Sequence, residues 1–158
     1  MAARVERGVV TFVVMSVPGR KLYGESGCFV AGRGHGAWEW RDDAPRRLAV
    51  SETDTLEKSC VLFEGPFKKV LRSPLVPAIV ARAQHARKIS ASCWTGVLIA
   101  SGQNAMRPCD AAVTIASGAW DTLPMALLIE EAGGIVTDYH GQPLSLSNYA
   151  HMVMSNGH

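Results

Sequence analysis

The sequence predicts an α/β fold that forms a single domain, and three observations support this prediction. The segment from Val9 to Val17 is apolar and rich in β-branched residues, as is typical of a buried strand. Apolar residues recur at helical spacing from Met125 to Ala132, which predicts a helix packed on a core. A second β-branched run begins at Ile135, directly after Gly133 and Gly134. Strands that alternate with helices in this way favour a sheet covered by helices.

The first third of the chain predicts an antiparallel meander. Its long strand ends at Pro18 and Gly19, a pair that is typical of turns. Glycine-bearing turns separate the short apolar segments that follow, and each segment is long enough for one strand. These segments are Lys21–Tyr23, Cys28–Ala31 and Ala37–Trp40. The polar, proline-bearing segment Arg41–Arg47 is predicted to be an exposed connection.

Three further elements are predicted in the middle of the chain. The apolar run Cys60–Phe63 stops at Gly65 and Pro66, which indicates a strand. Pro74–Arg87 carries apolar residues on one helical face, so a helix is predicted there. The apolar segment Trp94–Gly102 fits either a helix ended by its glycine or a buried strand.

The composition argues against a nucleic-acid-binding protein, a membrane-spanning protein and a zinc-ribbon protein. The chain has 158 residues and a formal net charge of +2, and its basic residues are scattered, so no concentrated surface for nucleic acid is predicted. The longest uncharged apolar run is too short to span a bilayer, and no cleavable signal pattern precedes it. The 4 cysteines include no Cys-x-x-Cys pair, which argues against zinc ribbons and predicts reduced thiols. We therefore expect a cytoplasmic protein that binds no membrane and no nucleic acid polymer.

The helix predicted in the last third of the chain carries the acidic residues of most interest. Asp121 falls at its start, where a carboxylate can cap free N–H groups and is favoured by the positive end of the helix. Pro124 fits in the first turn, where it removes no intrahelical hydrogen bond. Glu130 and Glu131 lie more than two turns further on, so we expect them to be solvated or to support packing.

One signature in this region resembles that of a known family. It runs from Trp120-Asp121 through small and apolar residues to Glu131-Ala132-Gly133-Gly134, and it is similar to the second signature of the inositol monophosphatase family of magnesium-dependent phosphatases. Gly34-His35-Gly36-Ala37-Trp38, which follows an apolar strand, is similar to the family as well. The resemblance implies a layered α+β sandwich of the inositol monophosphatase and fructose-bisphosphatase kind. Residues 1–158 would form one partial domain, with 1–50 the remainder of its N-terminal sheet and 51–158 its C-terminal α/β part.

The resemblance also implies where a site would lie. The signature aspartate is a metal ligand in the family, so Asp121 is predicted to bind Mg²⁺ and to contact substrate. A small-residue turn that contacts substrate in relatives corresponds to Ser90, Ala91 and Ser92. At a helix start, such a turn presents N–H groups and hydroxyls to an anion. Arg87 precedes it and is a further candidate for substrate binding. Two alternatives stay open, because Asp121 could merely cap its helix and Arg87 could merely pair with a carboxylate.

Several parts of the family pattern have no counterpart in this sequence. Before the strand that matches Val9–Val17, relatives carry a Glu-Glu motif and an Asp-Pro-x-Asp-Gly-Thr motif that supply most metal ligands, and this sequence has neither motif there. The acidic residue that relatives often carry seven positions before the signature aspartate corresponds to Thr114. We therefore expect a truncated family member with a weak, incomplete Mg²⁺ site at Asp121 and no identifiable catalytic residue. Other carboxylates that could converge on this site are Glu25, Asp110 and Asp138.

Two functions are consistent with these residues. One is Mg²⁺-dependent hydrolysis of a small phosphate monoester, such as an inositol phosphate or a related sugar or alcohol phosphate, impaired in this chain by the missing ligands. The other is a noncatalytic remnant or oligomerisation partner that associates with itself or with a complete relative. Relatives are commonly homodimers, so the resemblance implies a homo-oligomer.

Overall fold

The chain folds into two five-stranded sheets layered with helices, in a computed structural model that describes residues 1–17, 27–41, 44–104 and 108–158. This architecture confirms the predicted fold class. The first sheet comes from the N-terminal part of the chain, and the second comes from the remainder.

The first sheet is the antiparallel meander that the sequence predicts. Neighbouring strands along the chain are also neighbours in the sheet, and all of these pairs are antiparallel. The strands are β1 (Ala2–Glu6), β2 (Val9–Val17), β3 (Gly27–Gly32), β4 (Gly36–Arg41) and β5 (Ala44–Arg47). The predicted turn at Pro18 and Gly19 and the predicted strand Lys21–Tyr23 lie outside the described residues.

The prediction of a connection over Arg41–Arg47 is wrong in its second half, which forms β5. This strand pairs with β4 and is exposed along its length. Pro45 is compatible with it because β5 lies at an edge of the sheet, where a residue without an N–H is tolerated. Asp42 and Asp43 lie outside the described residues.

The second sheet is mixed. Its strands are β6 (Cys60–Glu64), β7 (His85–Ile89), β8 (Ala111–Ile115), β9 (Ile135–Asp138) and β10 (His151–Ser155). Across the sheet their order is β7-β6-β8-β10-β9. β6 is parallel to β7 and β8, whereas β10 is antiparallel to β8 and β9. The carboxyl ends of β6, β7 and β8 therefore meet at one end of the sheet.

Helices cover both faces of this second sheet. They are α1 (Phe67–Arg72), α2 (Leu75–Val80), α3 (Ser92–Ala100) and α4 (Ala119–Glu131). Phe63 of β6 packs on the side of α1 and α2, whereas Leu62 packs on the side of α3 and α4. This division follows from the alternation of side chains along a strand. None of the helices within the described ranges is long and apolar enough to cross a membrane.

Two of the predicted helices have different outcomes. The structure confirms a helix rather than a strand over Trp94–Ser101, most of which lies in α3. The helix predicted for Pro74–Arg87 is too long, because α2 ends at Val80 and the chain re-enters the sheet as β7. The backbone pairing of β7 with β6 outweighs the local helical spacing of these residues.

α4 lies between the two sheets. It contacts β2, β3 and β4 of the first sheet and β9 and β10 of the second. Every residue from Thr122 to Ile129 is buried, although the sequence pattern predicted one packed face. The presence of a sheet on each side, with α3 packed against α4 as well, accounts for this burial.

The first turn of α4 starts earlier than predicted. Gly118 is the N-cap residue and no side chain caps the helix, so Asp121 lies in the first turn without capping it. Pro124 consequently lies in the second turn rather than the first. At the other end, Gly133 has a φ of +94° and ends the helix in the left-handed conformation, as predicted.

Candidate active site

A pocket of about 510 Å³ opens at the end of the second sheet where β6 and β8 finish and α3 and α4 begin. Ser92, the first residue of α3, and Gly118, the N-cap of α4, both line it. The positive ends of two helices therefore face the same space, which favours a negatively charged ligand. The full lining is Glu64, Gly65, Pro66, Phe67, Lys88, Ser90, Ser92, Ala116, Ser117, Gly118 and Asp121.

Asp121 is half-buried in the wall of this pocket. Because Gly118 is the N-cap of α4, the alternative that Asp121 is merely the capping residue is wrong. Its carboxylate is instead presented at the pocket, beside the positive end of α4. The predicted role of Asp121 as a metal ligand stays a prediction, and its position is compatible with that role.

Ser90 and Ser92 line the pocket with Asp121, and their predicted contact with substrate stays a prediction. Ala91 lies between them and is the N-cap residue of α3. The small-residue turn is therefore at a helix start, the arrangement that presents hydroxyls and N–H groups to an anion.

Arg87 is not part of the described pocket lining, whereas its neighbour Lys88 is. Successive side chains of a strand point to opposite sides of the sheet. Because Arg87 and Lys88 are neighbours in β7, only one of the two side chains can point to the pocket. The charge of Arg87 instead acts on the buried thiols of Cys60 and Cys109. The Lys88 ammonium donates a hydrogen bond to the Ser90 hydroxyl.

Glu64 is the pocket residue that sequence reasoning missed. It ends β6, is 3% exposed and shares the pocket with Asp121. Burial raises the pKa of the Glu64 carboxyl, and the Asp121 carboxylate adds to this rise. Hydrogen bonding from the Ser92 and Thr95 hydroxyls opposes the rise in part. A signal was present in the sequence, because Glu64 is a carboxylate at the carboxyl end of an apolar strand, where ligands commonly bind in α/β sheets.

Two backbone positions shape the floor of the pocket. Gly65 has a φ of +125°, and a Cβ there would lie 2.2 Å from the carbonyl oxygen of Ile115. No side chain fits this position, so glycine allows β6 to turn away close beside β8. Ala116 has a φ of 59°, which is uncommon for a residue other than glycine. Such backbone conformations persist where the surrounding structure holds them, often at functional sites.

The other carboxylates considered as ligands are engaged elsewhere. Asp110 accepts hydrogen bonds from the Ser51 hydroxyl at 2.5 Å and from the Cys60 N–H at 2.6 Å. Asp138 accepts hydrogen bonds from two backbone N–H groups of the turn that follows β9. Neither converges on Asp121, and Glu25 lies outside the described residues. Across the described parts of the chain, no three His, Cys, Asp or Glu side chains form a metal-binding cluster.

Of the two alternatives predicted for Glu130 and Glu131, the structure favours support of packing over a solvated pair. The carboxylate of Glu131 accepts the backbone N–H of Gly34 at 2.7 Å and that of Gly36 at 2.8 Å. Glu130 forms an ion pair of 3.4 Å with Arg33. The two glutamates thus join the end of α4 to the turn between β3 and β4.

Comparison with known proteins supplies the family context. A sequence model described as the inositol monophosphatase family matches residues 3–158. Inositol monophosphatase 2 of Rattus norvegicus and of Mus musculus are each 36% identical to the chain over 107 residues, which is 64% of this chain and 35% of the relative. The aligned segment therefore spans about a third of the length of these curated relatives.

Solved structures share the fold. Inositol monophosphatase from Anabaena (Nostoc) superposes with a TM-score of 0.74 at 24% identity, over 95% of this chain and 57% of the other. The Thermotoga maritima enzyme superposes with a TM-score of 0.79 at 24% identity, over 98% of this chain and 54% of the other. In both cases the described architecture corresponds to little more than half of the solved chain.

Proposed function

Because the chain belongs to the inositol monophosphatase family, we propose that its pocket acts in the Mg²⁺-dependent hydrolysis of a small phosphate monoester. The observation that carries this proposal is the position of Asp121. Its carboxylate lies in the wall of a pocket toward which the positive ends of α3 and α4 also point. The Asp121 carboxylate of this pocket can bind a cation, and the two helix N-termini can bind an anion.

The phosphate would bind at the side of the pocket formed by the start of α3. The hydroxyls of Ser90 and Ser92 can donate hydrogen bonds to phosphate oxygens, and the Lys88 ammonium can offset their charge. The pocket volume lies within the range of sites for small molecules, so it accommodates a phosphorylated polyol or sugar. We propose an inositol phosphate or a related sugar or alcohol phosphate as the substrate.

The carboxylate oxygens of the pocket fit a magnesium ion. Mg²⁺ prefers hard oxygen ligands, and the pocket offers the Asp121 carboxylate and a buried Glu64 oxygen without a hydrogen-bond partner among the described residues. When bound, Mg²⁺ polarises the phosphate and lowers the pKa of a coordinated water. Asp121 holds the cation side of the site, while Ser90, Ser92 and Lys88 orient the phosphate. Because the motifs that supply most metal ligands in relatives are missing before β2, we expect slow turnover by this chain.

The test is phosphate release from a panel of inositol, sugar and nucleotide monophosphates with and without Mg²⁺. The wild-type chain is compared with Asp121→Ala and with Asp54→Ala, which removes an exposed carboxylate outside the pocket lining. We expect slow, Mg²⁺-dependent release that Asp121→Ala abolishes and Asp54→Ala preserves. Equal release from the wild type and Asp121→Ala would contradict the proposal.

A second candidate function, association with another copy or with a complete relative, is favoured by the outer face of the first sheet. Phe12 and Trp40 are 41% and 47% exposed on this face, and the half-buried Val14, Val30 and Trp38 lie between them. An apolar face of this kind commonly marks an association surface. Sedimentation of the wild type and of Phe12→Ser tests this candidate. A wild-type chain that stays monomeric at high concentration would exclude self-association.

A further inference from the structure

Glu64 is an unexpected residue for its position in the core. It is the last residue of β6 and is 3% exposed. Leu62, two positions earlier and on the same face of the strand, packs among apolar residues of α3 and α4. An apolar side chain would therefore suit position 64 on packing grounds, and the carboxylate there requires another explanation.

The Glu64 carboxylate is incompletely satisfied. Its Oε2 has no hydrogen-bond partner within the described part of the chain, and the same holds for Oγ1 of Thr114. Glu64 and Thr114 are register partners on the adjacent parallel strands β6 and β8. The Ser92 and Thr95 hydroxyls hydrogen-bond to this carboxylate, so Oε2 is the atom that stays buried without a partner among the described residues. Because a buried carboxylate oxygen without a partner is costly, a ligand that supplies positive charge would stabilise this end of the sheet.

Asp121 adds a second carboxylate to the same pocket. Lys88 also lines the pocket, but one ammonium group cannot neutralise two carboxylates, and it already donates to Ser90. Mg²⁺ is commonly held by one or two carboxylates together with water and the phosphate oxygens of a substrate. The charge and the oxygen donors of the pocket therefore match one divalent cation.

We infer that Glu64 and Asp121 together bind a single divalent cation, with Glu64 as a ligand outside the sequence signature. The inference rests on the proposed function, because it names the residue that completes the cation side of that site. It also accounts for the buried Glu64 oxygen, which the cation would satisfy. The Ser90 hydroxyl lines the same pocket and can contact the phosphate.

The test measures cation binding directly, without substrate. Mn²⁺ is used in place of Mg²⁺ and is titrated into the full chain, with free Mn²⁺ followed by electron paramagnetic resonance. The variants are Glu64→Gln, Asp121→Asn and, as a matched loss of one carboxylate, Glu57→Gln, whose side chain is exposed. Circular dichroism establishes that each variant is folded. If Glu64→Gln does not fold, Glu64→Met fills a similar volume with an apolar side chain and replaces it.

Mutation of residues that contact a metal ligand, rather than the metal itself, weakens metal binding by about tenfold or more. The loss of a direct ligand should therefore weaken binding at least as much. We expect Glu64→Gln and Asp121→Asn each to weaken Mn²⁺ binding by about tenfold or more. Glu57→Gln should bind as the wild type does. Weakened binding in Asp121→Asn with unchanged binding in Glu64→Gln would overturn the inference and leave the proposed function intact. A wild-type chain that binds no Mn²⁺ would overturn the inference, while phosphate release tests the proposed function separately.

Discussion

The carboxylate of Glu131 accepts the backbone N–H of Gly34 at 2.7 Å, although 97 residues separate them along the chain. A second N–H, that of Gly36, donates to the same carboxylate at 2.8 Å. The end of α4 thereby fixes the turn between β3 and β4. The backbone N–H groups of Gly34 and Gly36 are thus occupied by the Glu131 carboxylate.

Replacement of Glu131 should destabilise the fold. Glu131→Ala leaves two backbone N–H groups without their charged acceptor, and hydrogen bonds to charged groups contribute about 1.5–3 kcal/mol each to stability. Because the Gly34 contact is exposed and water can replace the lost acceptor there, we expect the free energy of unfolding to fall by about 2 kcal/mol, as measured by urea denaturation. Glu130→Ala is the control, because its ion pair with the exposed Arg33 should contribute about 1 kcal/mol or less. Equal losses in the two variants would contradict this account.

Asp110 is predicted to be structural. It is 4% exposed and accepts hydrogen bonds from Ser51 and from the backbone of Cys60. Asp110→Ala should lower the free energy of unfolding by about 2–3 kcal/mol, since both donors stay buried without a partner. Asp54→Ala, which removes an exposed carboxylate, should cost about 1 kcal/mol or less by the same urea measurement. A small effect of Asp110→Ala would mean that water replaces the lost acceptor.

Gly65 at the floor of the pocket should tolerate no side chain. Gly65→Ala would place a Cβ 2.2 Å from the Ile115 carbonyl oxygen and would also strain a backbone with a φ of +125°. We expect a loss of about 3 kcal/mol or more in thermal or urea unfolding. Gly141→Ala is the matched control, because Gly141 also has a positive φ, +76°, but no atom lies within 4 Å of the added Cβ. That control should cost about 1 kcal/mol. Similar losses at the two positions would show that backbone strain alone matters.

The turn that follows β9 should weaken in acid. The backbone N–H of Gln142 and the side-chain amide of Asn148 hold the pKa of the Asp138 carboxyl below its ordinary value of 3.8. Since the folded pKa is lowered, this stabilisation is present above the unfolded value and is lost as the pH falls through the folded one. A carboxyl titration by nuclear magnetic resonance should therefore find the Asp138 midpoint below 3.8. In Asn148→Ala the midpoint should rise, and an unchanged midpoint would exclude Asn148 as a cause.

Local sequence patterns identify the two long helices and five strands, which are β2, β3, β4, β6 and β9. The β-branched runs of β2 and β9 are bounded by turn residues, and both the runs and the turns are local features. The other strands, β1, β5, β7, β8 and β10, were missed because local spacing does not reveal the partner strand on which each depends. β5, for example, pairs with β4, and β7 pairs with β6. The helical pattern of α2 continues in the sequence beyond Val80, so the prediction extended the helix into residues that form β7.

The same distinction applies to the pocket. Asp121, Ser90 and Ser92 stand in recognisable segments, and the structure brings all three to one pocket. Glu64 has no such pattern, because only the parallel alignment of β6 with β8 places its carboxylate opposite Thr114. The role of Glu131 was likewise hidden, since its partners lie at the far end of the chain.

The central position of α4 has a consequence for how the molecule melts. The helix is covered by both sheets and carries Asp121 in its first turn. Undocking α4 would expose the apolar faces of both sheets at once, so neither half can lose its packing alone. Heating should therefore give one cooperative transition, in which the pocket is lost at the same temperature as the β-structure. A ligand bound at Asp121 would stabilise the whole chain rather than one region.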